Sequence, residues 1–149
     1  MKLKIAITAA LVAMVLVGHD LVRPLLDARP QDLSPDRYQW LPSSATDVVA
    51  RSITDSFNGN GADVVSLRFT EQDLPALKSH FSSEFGSASW ETSKGFDHSI
   101  EGDMRKLGFP AQHFPSNYPG TYQSMALPGH RYVLISITHR RMWYWIFYT

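Results

Sequence analysis

The sequence predicts an α+β domain. It would have about four antiparallel strands in two hairpins and one main helix on one face, all behind an amino-terminal hydrophobic targeting helix. Three observations predict this architecture. Asp63–Phe69 and Arg131–Tyr148 are strand-like stretches rich in β-branched and aromatic residues, the second broken by a polar turn at His139–Arg141. Between the two, Leu74, Leu77, Phe81 and Phe85 recur at spacings of three and four, which lines one helix face. Ile5 to Gly18 is apolar without interruption and follows Lys2 and Lys4.

The opening "MKLKIAITAALVAMVLVGHD" combines a positive start with a 14-residue apolar run. As a helix that run spans roughly 21 Å, shorter than the ~30 Å hydrocarbon core. Length favours a signal peptide, but Leu16-Val17-Gly18 offers no small-residue pair for cleavage, and apolar residues resume at Leu21-Val22 and Leu25-Leu26. An uncleaved anchor over 1–22 is the preferred reading, with a cleaved signal as the alternative and a buried hydrophobic helix of the domain as the bland one. Lys2 and Lys4 place the amino terminus in the cytoplasm and the domain outside. The expected location is therefore the bacterial cytoplasmic membrane, single-pass, with a secreted or periplasmic form as the alternative after cleavage.

Pro24, Pro30 and Pro35 among charged residues mark 23–40 as a linker. The folded unit is expected over 41–149. In Asp47–Phe57, Val49, Ile53 and Phe57 share a parity, which makes an imperfect strand. "NGNG" at 58–61 then offers two glycines for a turn with positive φ. In the next strand Val65, Leu67 and Phe69 face one way, and Ser66 and Arg68 the other. The helix start is explicit, since Thr70 can cap and Asp73 three residues on completes a capping-box pattern. Gly86 is a natural stop.

Residues 86–129 hold six glycines and four prolines, so they read as one long loop, with a short helix near Ile100–Leu107. The chain closes on "MWYWIFYT". Trp143, Trp145 and Phe147 occupy one face of that strand, and Met142, Tyr144, Ile146 and Tyr148 the other. An antiparallel strand ordinarily wets one face. Either the 86–129 loop folds over the second face, or Met142, Tyr144, Ile146 and Tyr148, with Arg140 and Arg141 at the hairpin tip, contact a partner or the membrane.

Composition removes several classes. There is no cysteine, hence no disulfide, thiolate metal site, catalytic thiol or lipidation. Beyond His19 the chain carries 12 basic against 14 acidic residues, which leaves no electrostatic footprint for nucleic acid. The chain has no GxSxG, GxGxxG, phosphate-binding loop or HExxH spacing. His98, Glu101 and Asp103 in "DHSIEGD" form a polar cluster in which His98 and Glu101 could share a helical face around a metal. The bland alternative is a solvated loop. No cofactor and no catalytic residue is assigned.

"LPSSATDVV" followed by "DVVSLRFTEQDLPALKSHF" resembles small uncharacterised membrane-anchored or lipoprotein-like bacterial proteins. In these a P-x-x-A-x-[DN]-[IV] strand leads to an [LV]-R-F strand and then an acidic helix start. The resemblance covers residues 41–85. It implies a strand–strand–helix order and export, and no activity. The functional expectation is a membrane-tethered, extracytoplasmic, non-enzymatic interaction module, such as an accessory subunit of an envelope complex, anchored by Ile5–Gly18 with a protein partner or a second copy of itself. Two alternatives stand beside it: an immunity or exclusion protein that binds a toxin or phage component, and a small metal-dependent hydrolase.

Overall fold

A computed structural model describes residues 29–54, 60–84 and 88–148. The proposed anchor over 1–22, Phe57, Phe85 and Gly86 lie outside them. The architecture is α+β around one antiparallel sheet, as the patterning predicts, but the sheet has seven strands rather than four. They are β1 (Gln31–Asp32), β2 (Thr46–Thr54), β3 (Gly61–Arg68), β4 (Glu91–Ser93), β5 (Tyr122–Leu127), β6 (Arg131–Ser136) and β7 (Arg141–Tyr148). Their order is β1-β2-β3-β7-β6-β5-β4. The undercount has a physical reason. With two and three residues, β1 and β4 are too short to show any alternation. β5 sits among prolines and glycines that announce a loop.

The aromatic carboxy-terminal strand β7 runs through the middle of the sheet, paired on one side with β3 and on the other with β6. That position accounts for its composition. A strand buried on both faces needs no polar alternation. On one face Met142 and Tyr144 join Val65, Leu67, Val133 and Ile135 beneath helix α1 (Leu74–Glu84), which contributes Leu77 and Phe81. Trp40 sits edge-on to Phe81 and Tyr144, with ring centroids at 5.2 and 5.3 Å. On the other face Trp143 and Trp145 pack with Leu134, Tyr122, Phe109 and Phe114, and with Ile100 and Met104 from helix α2 (Ser99–Lys106). The 86–129 stretch therefore covers the second face. Its residues 96–118 form the roof that carries α2, while β4 and β5 join the sheet itself as its last two strands.

Helix α1 starts as the capping pattern predicts. Asp73 Oδ2 accepts from the Thr70 backbone N–H at 2.7 Å and from the Thr70 hydroxyl at 2.6 Å, through a single turn of tighter helix at Glu71–Asp73. The hydroxyls of Thr70 and Ser44 hold the Asp73 carboxyl below its ordinary range. Gly61 differs from expectation, because it opens β3 in extended backbone rather than supplying positive φ. Glycine is needed there for close approach, since a Cβ would run into the Ile53 carbonyl across the hairpin.

Part of the stretch read as linker belongs to the fold. β1 pairs with Ser52 and Arg51 of β2, and Tyr38 and Trp40 pack on the α1 face. β1 runs antiparallel to β2, so the chain reaches it from the end of the sheet where β2 finishes. Thr46, Arg68 and Arg141, together with the turn from β6 to β7, stand at the opposite end. Eight residues of strand separate the two ends by about 27 Å.

Candidate functional site

Polar groups gather at that far end of the sheet, in two storeys. The lower storey is buried. Arg141 opens β7, is 1% exposed, and lies on the α2 face beside Ser66 of β3. Its Nη2 donates to Asp47 Oδ2, and its Nη1 donates to Ser66 Oγ at 3.2 Å and lies 2.9 Å from His113 Nδ1. A guanidinium can only donate, so the network assigns Nδ1 as an acceptor and the ring proton to Nε2, which faces Asp47 Oδ1 at 3.3 Å. Ser66 Oγ is 3.1 Å from the same Nδ1. Trp143 Nε1 donates to the His113 carbonyl at 2.6 Å and locks the loop in place.

Asp47 reaches Arg141 through a distortion of β2. Pairing with β3 slips between Thr46 and Val49, and Asp47 itself adopts φ 51°. The extra residue turns the carboxylate toward the α2 face while Val48 packs on the α1 face. Aspartate is among the side chains that tolerate this left-handed conformation. Burial, reinforced by the charges of Arg141 and Arg51 and opposed by Asp47, pushes the His113 pKa below its ordinary value. A neutral, fixed imidazole is the form the network needs.

Serine, histidine and aspartate in sequence contact suggest a nucleophilic relay, but the geometry opposes one. Ser66 is fully buried, and Arg141 Nη1 already occupies the histidine nitrogen that would take its proton. The group is a structural clasp joining β2, β3, β7 and the covering loop.

The upper storey is open. Tyr118 lies over Arg141, its ring centroid 5.0 Å from the guanidinium carbon, and separates the clasp from a cleft of about 520 Å³. Thr46, Arg68, Thr138, His139 and Arg140 line this cleft. His139 packs edge-on to Tyr118 and reaches the Pro119 carbonyl at 3.0 Å. Arg140 holds φ 52° at the end of the Ile137–Arg140 turn and sends its carbonyl to the Phe69 N–H. Its guanidinium is 3.8 Å from Glu71 in a largely exposed pair. Among the described residues the Arg68 side chain makes no ion pair or hydrogen bond.

The residues singled out from sequence fall into four groups. Met142 and Tyr144 are core beneath α1, and Arg141 belongs to the clasp, so none of the three is surface in this fold. Ile146 is half-buried, while Tyr148 is 40% exposed and donates to Asp63 Oδ2 at 2.6 Å. Only Arg140 of the six faces the cleft. The polar cluster does not converge. His98 packs on Phe96 at 4.7 Å, Glu101 turns inward to accept from the Ser116 N–H at 2.6 Å, and Asp103 pairs with Lys106 at 3.2 Å. Among the described residues no three histidines or carboxylates gather as a metal set. Asp47, Ser66 and His113 escaped the sequence reading. Ser66 inside "VVSLRF" left a trace, as a polar residue in an apolar strand, but "AQHFP" gives His113 none.

Comparison of the chain with protein-family models, with curated proteins and with solved structures finds no match. Among the described residues no helix is long and apolar enough to cross a membrane.

Proposed function

We propose that this protein is a membrane-tethered, extracytoplasmic binding module without catalysis of its own. As an accessory subunit of an envelope complex it would meet its partner at the cleft lined by Arg68, Thr138 and Arg140. The carrying observation is the cleft itself. Both sheet faces are covered by the chain's own segments, and the edge strands are two and three residues long and offer little ladder for strand addition. Cationic and hydroxyl groups then converge at one end of the sheet. β1 starts at the end of the sheet opposite the cleft, so a chain anchored through Ile5–Gly18 would join the described fold there. This replaces the aromatic strand as the contact surface, since its faces are core.

The test is chemical crosslinking with mass spectrometry on protein extracted from its own membranes in mild detergent, together with the mature amino terminus. An intact Met1 and one reproducible partner crosslinked near 68–71 and 138–140 would support the proposal. A cleaved, soluble chain with no partner crosslinks would refute it.

A further inference from the structure

Resting on that reading, we propose that the cleft recognises the phosphate group of a soluble organic phosphate. Three features point to an oxyanion. First, Arg68 projects from the end of β3 with no ion-pair or hydrogen-bond partner among the described residues, directly across from Arg141 in the β3–β7 pairing. Like charges opposite each other in a sheet are destabilising unless something neutralises them. Asp47 serves Arg141 and His113, and Asp73 serves Thr70 and Ser44. Glu71, mostly exposed and 3.8 Å from Arg140, leaves Arg68 unmatched among the described residues.

Second, Arg140 is a non-glycine residue held at φ 52° in a turn where glycine or asparagine carries no such strain. Strain of this kind persists only where the surrounding structure holds it and gathers at functional sites, and this side chain lies on the cleft wall. Third, the donors stand on different walls. Arg68 and Thr46 come from neighbouring strands, and Thr138 and Arg140 from the turn. A planar carboxylate is satisfied by one guanidinium fork, whereas a tetrahedral phosphate presents oxygens in several directions and uses such an array. The cleft exceeds a bare phosphate in size, and Tyr118 offers a ring beside it. The phosphate therefore comes with an organic body. A membrane headgroup offers the same chemistry, and the vesicle arm of the test separates it from a soluble phosphate.

The test is isothermal titration of the full chain in a non-ionic detergent with phenyl phosphate, inorganic phosphate and benzoate, alongside vesicles of phosphatidylglycerol. Phenyl phosphate is expected to bind about tenfold more tightly than benzoate, and Arg68→Gln and Arg140→Gly are each expected to weaken it about fivefold or more. Arg140→Gly suits its conformation, so its melting temperature should hold or rise while binding falls; that separates lost recognition from lost folding. Equal affinity for benzoate, or unchanged binding in both variants, would overturn the assignment. Vesicle binding lost in the same two variants, with no phenyl phosphate binding, would overturn the soluble ligand in favour of a headgroup. Partner crosslinks at the cleft without any phosphate binding would leave the binding module standing and sink only the phosphate.

Discussion

The clasp makes a prediction about asymmetry. Asp47 and Arg141 form an ion pair, but Arg141 is 1% exposed while the Asp47 side chain is 43% exposed. Removing the carboxylate by Asp47→Ala strands a guanidinium in the sheet interior, and stranded buried charges cost about 3–5 kcal/mol. Access of water at the rim lowers this to roughly 2–4 kcal/mol, and relief of the left-handed backbone is unavailable to alanine. Arg141→Met removes the charge and keeps much of the stem volume. It leaves Asp47 half in water, and Ser66 can donate to His113 Nδ1 across the existing 3.1 Å. That change should cost about 1 kcal/mol or less. Equilibrium urea unfolding followed by tryptophan fluorescence reads both, with unchanged m-values as the check that the two states are the same. If Arg141→Met proved as costly as Asp47→Ala, or costlier, the clasp would not be a buried cation held by a rim carboxylate.

Other consequences follow from single contacts. Burial holds the His113 pKa below its ordinary 6.5. Its contribution to stability is therefore fully present above pH 6.5 and is lost as pH falls, because the unfolded chain takes up the proton first. The slope approaches at most ~1.4 kcal/mol per pH unit. Urea midpoints between pH 7.5 and 5 should fall in the natural chain and fall less in His113→Gln. Trp143→Phe removes the donor to the His113 carbonyl and part of a fully buried ring, so it should cost about 2–4 kcal/mol in the same unfolding assay. Gly61→Ala forces a Cβ against the Ile53 carbonyl and should cost about 1–3 kcal/mol, whereas alanine at Gly102, where a Cβ meets nothing within 4 Å, should be neutral or stabilising.

What the sequence disclosed depended on period and range. Local, periodic signals were legible. The Thr70–Asp73 cap, the Leu74–Leu77–Phe81 stripe and both hairpins appear where the pattern put them. The aromatic character of Met142–Tyr148 correctly marked a strand with two apolar faces, and residues 96–118 of the long stretch cover the second one. Long-range pairing was not legible. β1 and β4 acquire strand geometry only because β2 and β5 lie beside them, and no two- or three-residue pattern encodes that. The clasp was hidden for the same reason. Asp47, Ser66, His113 and Arg141 are scattered over 94 residues, and only the bulge at Asp47 and the loop over β7 bring them together.

β7 is the centre of the sheet and interior on both faces, and the contact proposed at the cleft depends on this. Amide hydrogen exchange on the isolated full chain tests this directly. Met142–Trp145 should exchange as slowly as any amides in the protein without a partner, while Ile137–Arg140 at the turn exchanges quickly. Fast exchange across Met142–Trp145, slowed only when native membrane extract is added, would contradict the account and return the aromatic strand to the surface.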